Sequence, residues 1–170
     1  MPTSEAVIAV DCGTHAVRSL VFDASSGQSW LAHNEELVLD FPQPGWVEID
    51  PDALANATIR SVRAALALAA EHRLTVIAMG LTNMRETAFT WWRASGVPAS
   101  PGVMWMSLAS EPIVERWKSN GNEALIRERT GLSNHSFFFG SKLAWLFDRD
   151  PALAAAAAAG ELQAGTLESW

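Results

Sequence analysis

Tyrosine is absent from this 170-residue chain and cysteine occurs once, at Cys12. A lone thiol forms no internal disulfide and has no partner at metal-ligand spacing, which excludes a disulfide-stapled fold and a structural zinc site and fits a reducing cytoplasm. Basic residues are few, twelve against nineteen acidic ones for a net charge of -7, and they are scattered. That distribution excludes the clustered cationic surface that nucleic-acid phosphates require, so no nucleic-acid partner is expected. No stretch of about eighteen apolar residues runs free of charge, so no transmembrane helix or membrane partner is expected. The N-terminus lacks the positive and apolar regions of a signal peptide.

What is present is a globular composition, 49% hydrophobic and 18% charged, at a length that suits one domain with a proper core. Eight tryptophans stand out. Indoles fill cores and also line sugar and polyol sites, so their number permits a binding pocket without requiring one.

Hydrophobic patterning predicts three opening strands, Ala6 to Asp11, Val17 to Asp23 and Gln28 to Leu39, in an antiparallel meander turned at Ser25-Ser26-Gly27. Two prolines and a glycine between Asp40 and Trp46 exclude regular structure there. Asp50 as N-cap and Pro51 at the first helical position then open a helix, with the periodic positions Leu54, Thr58/Ile59, Val62, Leu66 and Ala69/Ala70 giving one core face. The apolar run Leu74 to Leu81 reads as a central parallel strand buried on both faces, which gives a mixed α/β sheet. Short strands are predicted at Ala88 to Trp92 and Val103 to Trp105. The remainder reads as helical: Leu108 to Ser119, Glu123 to Thr130 closed by Gly131, and Gly140 to Asp148 stopped by Asp150-Pro151. The alanine run Ala154 to Ala159 reads as a plain surface helix.

Two segments carry chemistry. Asp11-Cys12-Gly13-Thr14-His15-Ala16-Val17-Arg18 follows the apolar run Val7 to Val10, so a buried strand ends on a carboxylate, with a glycine and a hydroxyl just after. Such a turn can set backbone N–H groups and a metal-holding carboxylate against a phosphate. The chain resumes as a strand, unlike a P-loop or dinucleotide turn, which opens a helix. An ordinary hairpin satisfies the same pattern. The second segment, Thr82-Asn83-Met84-Arg85-Glu86-Thr87, continues the parallel strand, and strand ends are where open α/β sheets bind ligands. Arg85 supplies a fork of donors and Glu86 a pair of acceptors, which together suit adjacent hydroxyls; a surface ion pair has the same composition.

Five motifs recur in one order: Asp11-X-Gly-Thr with Arg18, Phe41 to Glu48, Thr82 to Thr87, Gly140-Ser-Lys-Leu-X-Trp145, and Gly165-Thr166-X-X-Ser-Trp170. Together they resemble the glycerol kinases, members of the FGGY carbohydrate kinases, over essentially the whole chain. The resemblance implies an α/β, ribonuclease-H-like (actin-like ATPase) domain, a mixed β-sheet flanked by helices, and ATP-dependent phosphoryl transfer to a small polyol or sugar. It implies that Asp11 helps hold Mg2+ and that Gly13, Thr14 and Arg18 meet the nucleotide phosphates. Arg85 and Glu86 match the polyol-gripping pair, Trp105 the indole against the substrate's carbon edge, and Phe137 the position of a substrate tyrosine.

The departures from that pattern are specific. Phe137 lacks the tyrosine hydroxyl, which puts glycerol specificity in doubt. Met106-Ser107-Leu108-Ala109 replaces a polar and basic rim, and His15-Ala16-Val17 replaces a hydroxyl-rich stretch of the phosphate turn. The family's catalytic aspartate lies in a C-terminal domain beyond the matching region. Residues 1–170 are therefore expected to be an incomplete N-terminal, substrate-binding domain, inactive alone, whose absent C-terminal domain is a partner. The face that normally meets that domain suits homodimerisation. A non-catalytic sugar- or protein-binding descendant of the same fold is the alternative.

Overall fold

The computed structural model describes residues 4–170. The elements run β1 (Glu5–Cys12), β2 (Ala16–Asp23), β3 (Ser29–Glu36), β4 (Leu39–Asp40), β5 (Glu48–Ile49), α1 (Pro51–Glu71), β6 (Thr75–Asn83) and β7 (Phe89–Trp92). There follow β8 (Gly102–Val103), α2 (Glu111–Ser119), α3 (Asn122–Thr130), α4 (Phe139–Arg149), α5 (Pro151–Ala158) and β9 (Leu162–Gly165). They form two compact units, one of residues up to Val38 with Asp52–Met84, the other of Leu39–Pro51 with Arg85–Trp170.

The first unit is a four-stranded sheet in the order β3-β2-β1-β6. β1 to β3 form the antiparallel meander, and β6 runs parallel to β1. Strand alternation sends Ala6, Ile8, Val10 and Cys12 to one buried face. Helix α1 covers that face with Leu54, Ala57, Ser61, Ala65 and Ala69, spaced three and four apart. Between the layers Ser19 Oγ donates to the Ser61 carbonyl at 2.9 Å and Cys12 Sγ lies 3.3 Å from Thr58 Oγ1, while the buried Ser61 hydroxyl has no partner among the described residues. Burial raises the Cys12 thiol's pKa, so it stays protonated and acts as a small core group.

Two expectations for this unit change. The third strand ends at Glu36 rather than Leu39, and Leu39–Asp40 pairs with β5 instead. β6 is an edge strand, hydrogen-bonded to β1 alone among the described strands, and Ile77, Met79 and Leu81 are half exposed. An unbroken apolar run reports two apolar faces; whether neighbours cover them depends on the order of strands, which periodicity does not encode.

The second unit has two small antiparallel sheets, β4-β5-β8 and β7-β9. A bridge between Ala88 and Val103 joins the segments that lead from one to the other. Ala88, Val103, Ala109, Ile113, Trp145 and Leu146 form a core beside α2 and α4. Arg149 lies over the rings of Trp46 and Trp145, 5.3 and 5.2 Å from their centres, and its Nη1 reaches the buried Glu48 carboxylate at 3.3 Å. The loop Asp40–Trp46 thus leads into an aromatic and ionic anchor rather than hanging free.

The helices begin and end close to expectation, and Gly131 closes α3 in the left-handed conformation at φ 72°. The alanine run is not a plain surface helix. Asp150 caps α5 through the N–H groups of Ala152 and Leu153, and Leu153 and Ala156 are buried. A strand that the sequence pattern does not predict follows: β9 pairs with β7, and Gln163 Oε1 accepts the Trp91 indole N–H at 2.9 Å. A short 3-10 turn, Leu167–Ser169, follows.

Candidate functional site

In the first unit, the register brings three strand ends together. Asp11 on β1 lies directly opposite Arg18 on β2 and beside Thr82 on β6. Cross-strand partners share a face, and Ile8, Val10 and Cys12 face α1, so Asp11, Arg18 and Thr82 occupy the face opposite the helix. The turn between β1 and β2 is closed by Gly13 N–H donating to the Ala16 carbonyl at 3.0 Å. A side chain at Gly13 would approach that carbonyl oxygen to 3.2 Å and both Asp11 carboxylate oxygens to 3.8 Å, so glycine suits the closeness of the turn. Arg18 Nε donates to Asn34 Oδ1, directly opposite on β3, at 2.9 Å. Thr14 is partly buried and His15 exposed.

No cluster of three or more His, Cys, Asp or Glu that could hold a metal is found among the described residues. Asp11 therefore offers one carboxylate. Such a donor suits Mg2+ delivered with phosphate oxygens and water better than a resident ion in an all-protein cage.

In the second unit, Glu86 is held in the left-handed region, φ 63°, a conformation that costs a non-glycine residue about 1–3 kcal/mol. The turn is secured on both sides. Glu86 Oε2 accepts the Phe139 N–H at 2.9 Å, and the buried Thr87 Oγ1 accepts the Trp105 N–H at 3.3 Å. Phe139 opens α4, whose cap residue Phe138 contributes no side-chain bond. The Glu86 carboxylate thus serves as a distant cap, favoured by the positive end of the helix. Trp105 meets Phe137 edge to face at 5.8 Å, and Phe137 meets Phe138 likewise at 5.2 Å. Arg85 is exposed.

Glu86, Trp105 and Phe137 are therefore tied together within one unit, by Phe139, by Thr87 and by ring contact. That gives an anionic acceptor of fixed position beside an aromatic wall. Glu86 also borders an apolar cavity of about 330 Å³ walled by Trp117, Ile126, Leu132 and Phe138.

Residues 6–170 match the model of the FGGY family of carbohydrate kinases, N-terminal domain. The chain belongs to this family. It is 42% identical over 164 residues to a glycerol kinase of Paracidovorax citrulli, covering 96% of this chain and 32% of that protein. A glycerol kinase of Leptothrix cholodnii is 40% identical, with 96% and 33% covered. The chain thus spans about a third of the length of these curated relatives. Plasmodium falciparum glycerol kinase, solved with ADP, superposes with a TM-score of 0.89 at 22% identity, covering 99% of this chain and 33% of that one. Gluconate kinase from Lactobacillus acidophilus gives 0.77 at 18% identity over 88% of this chain and 29% of that one. The fold is the actin-like ATPase fold expected from the motifs.

Within this FGGY domain, sequence reasoning gave no role to Lys142. Its side chain is completely buried, and its Nζ donates to the carbonyls of Ser136 at 2.6 Å, of Phe137, and of Phe138 at 3.4 Å. The signal was present in the sequence: a lysine one turn into an amphipathic helix, on the same side as Trp145 and Leu146, which are buried with it.

Proposed function

We propose that this chain is the substrate-binding part of an ATP-dependent polyol kinase of the glycerol-kinase type, completed by a C-terminal domain such as its longer relatives have room for. The observation that carries the reading is the tie between Glu86, Trp105 and Phe137: a fixed acceptor beside an aromatic wall, with the donors of Arg85 adjacent in sequence. A polyol presents hydroxyls on one edge and C–H groups on the other, and this pairing meets both.

Phosphoryl transfer makes a bond from a substrate hydroxyl oxygen to the γ-phosphorus and breaks the one to ADP; catalysis is mostly positioning and charge stabilisation. Asp11 would hold Mg2+, which neutralises charge on the phosphate oxygens, and Gly13, Thr14 and Arg18 would contact those oxygens. The hydroxyl proton requires a base, which the family resemblance assigns to the C-terminal domain.

The test is to join this chain to the C-terminal two-thirds of the P. citrulli glycerol kinase. Glycerol-dependent ADP release is expected from the chimera and none from residues 1–170 alone. Turnover by the chain alone would overturn the division of labour. Glycerol binding without turnover in the chimera would favour the non-catalytic reading.

The roles of the two arginines separate in the same chimera. Arg85→Ala is expected to weaken glycerol binding about 10- to 100-fold, the loss of hydrogen bonds from a charged donor. Arg18→Ala should leave glycerol affinity within about twofold, as for an ordinary exposed position, and raise the KM for ATP. Calorimetry with glycerol and initial-rate kinetics in ATP measure the two; equal losses of glycerol affinity would remove the distinction.

A further inference from the structure

Lys142 is unusual in three respects. It is a fully buried lysine, it lies in the first turn of α4, where the helix dipole disfavours a cation, and no carboxylate forms a salt bridge with it within 4 Å among the described residues. Its ammonium is satisfied by backbone instead, through three consecutive carbonyls. Those carbonyls belong to the segment that carries Phe137 and delivers the Phe139 N–H to Glu86.

We propose that Lys142 is the positioning residue of the polyol site: its buried ammonium gathers the carbonyls of Ser136, Phe137 and Phe138, and so sets both the aromatic wall against Trp105 and the amide that holds Glu86. The inference rests on the reading of Arg85, Glu86, Trp105 and Phe137 as that site. The rest of the segment is positioned compatibly. Asn134 Nδ2 donates to the Val114 carbonyl at 2.9 Å, His135 Nδ1 accepts the Phe137 N–H at 2.9 Å, and Ser136 Oγ donates to Glu111. Each of these fixes one point. Ser141 Oγ reaches two carbonyls, those of His135 and Phe138; among the described residues only Lys142 reaches three in a row.

The charge state of Lys142 gives a second handle. Burial lowers its pKa from 10.5 to about 8, with the charge of Glu86 working in the opposite direction. As pH rises through about 8, the group loses one of its three donors and the charge that strengthens the other two. The titratable groups facing this segment are Glu86, Glu111 and His135. A transition near pH 8 that disappears in Lys142→Met belongs to the lysine and not to these groups. The effect on stability has the opposite sign. Between pH 8 and 10.5 the unfolded chain binds the proton more tightly than the folded one, so stability rises with pH while the site slackens.

The experiment compares wild type with Lys142→Met, a variant of similar length that removes a buried charge and keeps the apolar stem. Amide hydrogen exchange is read at Phe139, with Thr90 of β7 as an internal control, and glycerol is titrated by calorimetry between pH 6.5 and 9. The expected result is at least about tenfold loss of Phe139 protection with Thr90 unchanged. Glycerol affinity should fall about tenfold at pH 7, and the wild-type decline in affinity above pH 8 should be absent from the variant. Unchanged Phe139 protection, or glycerol affinity that follows global stability upward with pH, would overturn the proposal. If Lys142→Met fails to fold, the wild-type pH series with exchange at Phe139 and Thr90 decides alone. If wild type binds no glycerol, the polyol reading fails, while the exchange arm still judges whether Lys142 holds the segment.

Discussion

Phe89→Ala is expected to destabilise the second unit by about 3–5 kcal/mol, the range for removing a buried phenyl ring from a packed core. Phe89 is 1% exposed, and its ring lies nearly parallel to that of Trp170 with centres 5.9 Å apart. On its other side it lies against Gly102: a Cβ built there would stand 2.5 Å from Phe89 Cε1 and 3.0 Å from Ile49 Cγ2. Glycine at 102 is thus a consequence of the ring at 89. Gly102→Ala alone should cost about 1–3 kcal/mol through overpacking. In the Phe89→Ala background most of that penalty should vanish, because the cavity accepts the methyl group. The pair is therefore strongly non-additive. Denaturant unfolding of the four proteins, followed by circular dichroism, measures the coupling; additive losses would mean that the ring and the glycine do not share space. The consequence extends to the site, because β7 begins only three residues after Glu86 and Ala88 exchanges both backbone hydrogen bonds with Val103, two residues before Trp105.

The legible and illegible parts of this chain divide along a physical line. Local rules located the meander, the Asp50-Pro51 helix start, the Gly131 stop and the parallel return strand, since alternation, capping and turn chemistry are encoded over a few neighbouring residues. The exposure of Ile77, Met79 and Leu81 was not legible, because it depends on which strands flank β6 and not on β6 itself. β9 was missed for a related reason. Leu162–Gly165 has little strand propensity, and its pairing with Phe89–Trp92 is decided by contacts seventy or more residues away in the chain.

The candidate site shows the same division. Asp11, Arg85 and Glu86 were readable as residue types at strand ends. The left-handed turn at Glu86, its bond to Phe139 and the burial of Lys142 belong to tertiary structure. Local conformation at Glu86 disagrees with residue preference, and such a conflict is most often retained where function needs the geometry.

The largest expected effect on catalysis belongs to Asp11→Asn in the chimera. The substitution is nearly isosteric and leaves the turn's Gly13 to Ala16 backbone bond in place, so the fold should survive. What it removes is the negative charge that would hold Mg2+ against the transferring phosphate. A metal in that role supplies several kcal/mol of charge stabilisation, so turnover should fall roughly 10²- to 10⁴-fold. Raising Mg2+ should restore part of the rate, since the neutral amide still offers an oxygen to the ion. Glycerol affinity should stay within about twofold, because the groups assigned to the polyol are Arg85, Glu86, Trp105 and Phe137 and Asp11 is not among them. That contrast separates the metal role from a structural one. A hairpin carboxylate that only faces Arg18 across the strands would contribute about 0.2–1 kcal/mol to stability and leave turnover nearly unchanged. Steady-state rates at stepped Mg2+ concentrations, with a calorimetric glycerol titration, distinguish the two; near-wild-type turnover would reduce Asp11 to a residue of the hairpin and move the metal site elsewhere.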